Sequence, residues 1–364
     1  VSSFDAALYL ENGELFLGKG FGYPQEMGGE VVFNTAMFGY QEVFSDPSYA
    51  NQIVILGGTQ IGNTGVNLED NEGDALLLKG VVVREYQEPS NWRSTQSLQD
   101  YLYKHKVMGI SEIDTRQITK IIRDQGAQRG ILFPVKKEMN VIEHGKKLLA
   151  SVPAMEGQDL VSKVSCQKPY AFAKVSRTFA KGTAVVYDFG VKKNILREIH
   201  ERGFDVTVVP YNATAQEVLS YHPKLVVLSN GPGDPKEVPG SVKEIQSLIG
   251  KVPIFAICMG HQLIARAFGM NTYKLKFGHH GVNHPVKDHL ENKIIITSQN
   301  HGFAVEFKAT GDLQLSHTSL NDNTVEGFYS LSNKILSVQF HPEASPGPKD
   351  GSNLFDQFLS RFLQ

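Results

Sequence analysis

Between Thr183 and Phe268 short apolar runs alternate with stretches of helical periodicity, and few architectures satisfy that rhythm. Residues 183–187, 206–209 and 224–228 read as strands. Residues 192–201 read as a helix with Ile195, Leu196 and Ile199 on one face; 215–220 and 242–249 read as two more. A final apolar run ends at Cys258, followed after Gly260 by an amphipathic segment over 262–268. Successive strands can run parallel only if a crossover returns the chain, so the pattern predicts an α/β fold with a mostly parallel sheet and helices on both faces. Ligands of such sheets sit beyond the carboxyl ends of the strands.

The first half has a different texture. Residues 30–34 and 52–56 look like strands, separated by 40–49 and punctuated by glycines. Residues 118–124 read as a helix and 127–130 as its exit. We therefore expect a β-rich α/β N-terminal domain over residues 1–150, a linker over 151–181, whose 166–181 stretch has the polar, small-residue character of a connection, and the parallel-sheet domain over 182–364. The 364 residues suffice for such domains, and a formal net charge of −2 gives no reason to expect nucleic acid or an anionic membrane as partner. No apolar run approaches the roughly 18 residues of a membrane span. The terminus at Val1 lacks a signal-peptide pattern, and the only two cysteines, Cys166 and Cys258, lie far apart, so a reducing, cytoplasmic setting is expected.

Three loops at the carboxyl edge carry chemistry. At Cys258 an apolar strand meets a sharp turn into a helix, the layout of a nucleophile elbow; a thiol there faces unpaired N–H groups and a dipole that favour the thiolate. The same window also reads as a buried structural cysteine. His341-Pro342-Glu343 follows another apolar run; at a strand end, His341 and Glu343 would share one side, and a carboxylate-fixed histidine can move a proton to and from a thiol. The alternative is a surface His–Glu pair in a turn. Finally, Gly231 and Gly233 in Ser229–Pro235 let backbone approach a ligand and aim N–H groups at a developing oxyanion, although ordinary tight turns look alike.

Taken together and in this order, the three loops resemble the triad glutamine amidotransferases, also called class I. The resemblance implies Cys258 as nucleophile, His341 as general base and acid and Glu343 as its orienting partner, with Gly231 or Gly233 and Met259 giving backbone contacts around the oxyanion. Ala256 and Met259 stand where that family usually has Gly and Leu, and neither removes a reacting atom. A finer resemblance, to the small chain of glutamine-hydrolysing carbamoyl-phosphate synthase, runs along nearly the whole sequence. It rests on Gly278-His279-His280-Gly281, Gln299-Asn300-His301-Gly302-Phe303, Gly39-Tyr40-Gln41-Glu42, Asp46-Pro47-Ser48-Tyr49 and Ile113-Asp114-Thr115-Arg116, among others. It implies that L-glutamine is held by Ser48, Gly231, Gly233, Met259, Gln262, Asn300, Gly302 and Phe303. It also implies a larger partner chain in a heterodimer or higher assembly, which spends MgATP and bicarbonate on ammonia passed through an internal tunnel, in arginine and pyrimidine synthesis. No cofactor is implied for this chain itself.

Other patterns are read as structural. His279, His280 and His284 could bind zinc by number, but no cysteine or fourth ligand stands at a suitable spacing, and no metal is expected. Residues 57–65 look phosphate-friendly yet lack the Gly-Lys-Ser/Thr ending of a P-loop. Cys166 has no base nearby in sequence. The rival functions are another amidotransferase, a stand-alone γ-glutamyl hydrolase, and a non-catalytic subunit that would be expected to have lost one of Cys258, His341 or Glu343.

Overall fold

Ile53 and Ile55 pack into one apolar cluster while their neighbours Val54 and Leu56 pack into another, so this strand is buried on both faces. The computed structural model describes residues 4–175 and 180–363. Residues 176–179 of the expected linker and residues 1–3 of the terminus lie outside them. The chain divides into a first unit, residues 1–155 with 276–280, and a second, residues 156–275 with 281–364.

In the first unit seven strands close into a barrel: β1 (Phe4–Leu10), β2 (Leu15–Gly22), β3 (Met27–Asn34), β4 (Gln52–Leu56), β5 (Gly80–Val82), β6 (Met108–Ser111) and β7 (Gln128–Pro134), in the order β1-β2-β6-β5-β4-β3-β7. β3, β4, β5 and β6 pair parallel, and the remaining pairs are antiparallel. Helix α1 (Thr115–Gln125) is capped by Asp114, whose side chain accepts from the Gln117 N–H, and it buries Ile118 and Ile122. The stretch after α1, expected as a helix exit, is strand β7 that pairs with both β1 and β3; Gly130 misled the reading because in a closing strand it only makes room for Val31 and Leu10. The expected separator at 40–49 holds a helix, Tyr40–Ser45, and a short 3₁₀ turn, Pro47–Tyr49.

The second unit is built on one ten-stranded sheet: β8 (Tyr170–Ala173), β9 (Gly182–Asp188), β10 (Phe204–Pro210), β11 (Leu225–Leu228), β12 (Ile254–Ile257), β13 (Asn271–Asp288), β14 (Lys293–Glu306), β15 (Gln314–Ser319), β16 (Val325–Ser330) and β17 (Ile335–Val338). Their order is β8-β10-β9-β11-β12-β17-β16-β15-β13-β14. The core from β10 to β17 is parallel, as the alternation predicts. Beyond it β16, β15 and β13 run antiparallel, and β8, inside the stretch read as a plain connection, adds an antiparallel edge strand. Val185 and Tyr187 of β9 join one apolar cluster, Ala184 and Val186 the other. Helices α2 (Lys193–Glu201) and α6 (Asn353–Phe362) cover the second cluster; α4 (Pro239–Leu248) and α5 (Met259–Ala267), with α3 (Ala215–Ser220), cover the first. Helices thus cover both faces, because these strands are apolar at every position rather than alternately. Among the described residues no helix is long and apolar enough to cross a membrane.

Candidate active site

β11, β12 and β17 lie side by side and in parallel, with Leu228 opposite Ala256 and Ile257 opposite Val338, so their carboxyl ends deliver three loops to one edge. Cys258 is the residue between β12 and α5. Its φ of 53° and ψ of −105° are a conformation that side chains resist, worth of order 1–3 kcal/mol of strain. Two features hold it there. The Cys258 N–H donates to the Val338 carbonyl at 2.9 Å, and Gly260 is pressed so close to β11 that a Cβ would lie 2.2 Å from the Leu228 carbonyl oxygen. The helix that follows starts at Met259, earlier than expected, and is buried over almost its whole surface rather than amphipathic, because it lies between the sheet and α4.

The glycine loop is tied to this elbow, since the Gly260 N–H donates to the Ser229 carbonyl at 2.9 Å. Gly231 backs onto Phe189, where a Cβ would meet the carbonyl oxygen at 2.1 Å, and Gly233 has a φ of 88°. On the other side, β17 ends at Val338, three residues before His341. His341 and Glu343 are therefore not aligned by strand alternation as expected; a turn after the Ser298–His341 bridge brings them together instead. The His341 N–H donates to the Ser298 carbonyl at 2.9 Å, and Nδ1 donates to Glu343 Oε1 at 2.6 Å, with both side chains buried.

Sequence reasoning missed Lys192. Its ammonium lies 3.0 Å from Glu343 Oε1, buried to within 3 % of its side-chain surface, and also donates to the Ala344 carbonyl oxygen. Its backbone N–H is held by Asn230 Oδ1 at 3.0 Å, and Asn194 Nδ2 donates to the Glu343 carbonyl oxygen at 2.6 Å. No local signal marks a lysine before a helix as buried; only the apposition of loops does. Burial alone would raise the Glu343 pKa, but Lys192 and then His341 outweigh it and bring it down to about 2. Burial likewise opposes the His341 imidazolium, yet Glu343 and the nearby Cys258 reverse that effect and raise its pKa to about 10. With Nδ1 committed to a carboxylate, Nε2 is the nitrogen left for the Cys258 side. It has no closed hydrogen bond: the thiol donates instead to the Asn300 carbonyl oxygen at 3.6 Å.

Strand β14 brings Asn300, Gly302 and Phe303 alongside. Gln262 Nε2 donates to the Phe303 carbonyl oxygen at 2.9 Å and to Gln339 Oε1 at 3.1 Å, and His301 Nδ1 donates to the same Phe303 oxygen at 2.8 Å. With both lone pairs of that oxygen engaged, Phe303 can offer a ligand only its N–H. Lys274 Nζ stands 5.1 Å over the Phe303 ring. Ser48 belongs to the first unit, in the 3₁₀ turn capped by Asp46 Oδ1 at 2.9 Å. His279 and His280 also fall in the first unit and His284 in the second. Cys166 is half-buried; burial first, and Asp188 second, push its thiol up to about 12.

Residues 185–361 match the class-I glutamine amidotransferase family, and residues 8–132 match the CPSase domain of the carbamoyl-phosphate synthase small chain. The carbamoyl phosphate synthase small chain of Clostridium perfringens is 48% identical, with 98% of this chain and 99% of that one covered. That of Syntrophotalea carbinolica is 47% identical over 97% and 96%. The chain belongs to the carbamoyl phosphate synthase small chain family. The pyrimidine-specific small chain of Bacillus subtilis, a further member, is 46% identical over 97% of this chain and 94% of its own length. In family terms the class-I amidotransferase match covers the ten-stranded sheet from within β9 into α6, and the small-chain domain covers all but the outer ends of the barrel.

Proposed function

We propose that this small chain hydrolyses the side-chain amide of L-glutamine and supplies ammonia to a larger carbamoyl-phosphate synthase chain. The observation that carries the reading is the buried relay Lys192–Glu343–His341 ending beside the strained Cys258. Glu343, kept ionised by Lys192, fixes the Nδ1–H tautomer and stabilises the imidazolium. The proton removed from the Cys258 thiol rests on His341 Nε2, and the sulfur attacks the amide carbon. Negative charge on the amide oxygen is met by backbone N–H groups of Met259 and of Gly231 or Gly233. The C–N bond breaks as His341 returns the proton to the departing nitrogen, leaving ammonia and a glutamyl thioester. Water then adds, giving its proton to His341, and expulsion of the sulfur yields glutamate. Ser48, Gln262, Asn300, Gly302 and Phe303 hold the amino-acid end through neutral donors and acceptors, which avoids burying an uncompensated charge.

In this reading the large chain is the heterodimer partner that uses MgATP and bicarbonate, the ammonia reaches it by an internal passage, and the product serves arginine and pyrimidine synthesis in the cytoplasm. The barrel unit, residues 1–155 with 276–280, carries much of the contact, and the second unit, residues 156–275 with 281–364, performs the hydrolysis. The test is glutamate release by the purified chain, with and without large chain, MgATP and bicarbonate. Strong stimulation with appearance of carbamoyl phosphate is expected; high turnover indifferent to the partner would identify an independent glutaminase and overturn the assignment.

A further inference from the structure

The edge of the ten-stranded sheet opposite the catalytic loops gathers positive charge. Lys181, Lys224 and Lys334 stand immediately before β9, β11 and β17, and Lys251 stands three residues before β12. These four strands are consecutive in the sheet and parallel, so neighbours about 4.8 Å apart bring four ammonium groups to one stretch of edge. The sheet fixes their backbones. The Lys181 N–H donates to the Gly203 carbonyl at 2.7 Å, the Lys224 N–H to the Thr183 carbonyl at 2.8 Å, and the Lys334 carbonyl accepts from the Ile254 N–H at 3.0 Å. All four lysines are exposed, and among the described residues none is paired with a carboxylate. Like charges so grouped repel one another unless an anion lies between them.

Together they line a cavity of about 780 Å³, the size of a small-ligand site. Two details fit lysine to this place. Gly182 has a φ of 121°, and a Cβ there would lie 2.6 Å from Lys224 Cγ, so the Lys224 stem packs on bare backbone. Lys334 has a φ of 54°, in a turn where glycine or asparagine would be less strained. The one carboxylate in the lining, Asp356, is held at both oxygens by Arg202, Nε to Oδ1 at 3.0 Å and Nη2 to Oδ2 at 2.9 Å, and so leaves the lysines uncompensated. Beside the lysines the wall is largely apolar, with Phe204, Val252, Phe362 and Leu363. None of the lining residues is an exposed large apolar side chain, so the concavity offers a protein partner little to bury.

We propose that this cavity binds a nucleoside phosphate, with its phosphates among the lysine ammonium groups and its base and sugar against the Phe204, Val252 and Phe362 wall. The lining holds four lysines and no arginine. A row of point charges suits a chain of phosphate groups, whereas a single planar carboxylate is better met by a guanidinium fork. The site stands apart from the function proposed above. β11, β12 and β17 begin at this cavity and end at the catalytic loops, so the two sites occupy opposite edges of one sheet.

The test is calorimetric titration of the full-length chain on its own, free of magnesium, with adenosine diphosphate, inorganic pyrophosphate and adenosine. The diphosphate should bind saturably and about tenfold tighter than pyrophosphate, with adenosine alone not binding measurably. Raising the ionic strength should weaken it. Lys224→Gln with Lys334→Gln should lower its affinity by about tenfold or more, while glutamine turnover stays at the wild-type value, which verifies folding. Arg116→Gln with Lys120→Gln, which neutralises part of a second cationic cavity in the first unit, should leave that affinity unchanged. Affinity kept in the lysine pair, or lost in the first-unit pair, overturns the site. Equal affinity for adenosine diphosphate and pyrophosphate overturns the nucleoside as ligand and the proposal with it, as does the absence of saturable binding. Each of these outcomes leaves glutamine hydrolysis standing, since that reading fails only in the glutamate-release assay.

Discussion

At the scale of single residues the site is a problem in keeping charge buried. Cys258→Ser should abolish glutamine-dependent carbamoyl phosphate formation in the assembled enzyme yet leave synthesis from added ammonia, measured side by side. Lys192→Met removes the cation that keeps Glu343 ionised, and breaking a buried pair from one side costs roughly 3–5 kcal/mol. Urea denaturation should show a loss of that order, with glutamine turnover falling alongside. The titrations give a further expectation. His341, raised from 6.5 to about 10, contributes stability that is whole below pH 6.5 and is lost as pH rises toward 10; Glu343, lowered from 4.5 to about 2, contributes stability that is whole above 4.5 and is lost as pH falls toward 2. Glu343→Gln takes away the strongest influence raising His341. The alkaline limb of kcat/KM for glutamine hydrolysis should therefore move to lower pH, and the stability gap to wild type should narrow between pH 6.5 and 9. An unmoved limb would separate His341 from that limb.

At the scale of elements the turn at Cys258 stores strain, held by the hydrogen bond from its N–H to the Val338 carbonyl and by the packing of Gly260 on β11. Cys258→Gly relieves a φ of 53° that Cys258→Ser keeps, so the inactive glycine variant should be the more stable of the two, by about 1 kcal/mol in urea. Gly260→Ala should do the reverse, costing about 2–3 kcal/mol and the activity together, because its Cβ would strike the β11 backbone. What could be read in the sequence follows the same division. The parallel strands were legible because runs such as Leu225–Leu228 and Ile254–Ile257 are apolar throughout and are spaced by helices with apolar faces. The cysteine, the glycine loop and the His-Pro-Glu segment were legible as motifs. What joins them was not: the end of β17 three residues early and the buried Lys192 both depend on contacts between loops far apart in sequence. β8 was missed because Tyr170–Ala173 is short and exposed, and its partner β10, not its own pattern, makes it a strand.

At the scale of the whole molecule the two units are not consecutive. The chain leaves the first unit after Met155, returns to it for Lys276–His280 within strand β13, and leaves again. Those five residues bind the barrel closely: the Ala127 N–H donates to the Lys276 carbonyl at 2.7 Å, the Thr35 N–H to the His280 carbonyl at 3.3 Å, and Phe277 stacks on Phe33 with ring centres 5.9 Å apart. A fragment ending at residue 155 should therefore unfold at lower denaturant than the same barrel in the intact chain, followed by its tyrosine fluorescence after Trp92→Phe. Equal midpoints would make the returning pentapeptide dispensable. The inheritance of the gene is constrained in the same way. A single recombination junction between the two halves would hand the incoming barrel a pentapeptide drawn from another lineage, at contacts as close as a backbone hydrogen bond. The two halves can be traded between relatives only where that short insert already matches, which binds their histories together more tightly than a linker would.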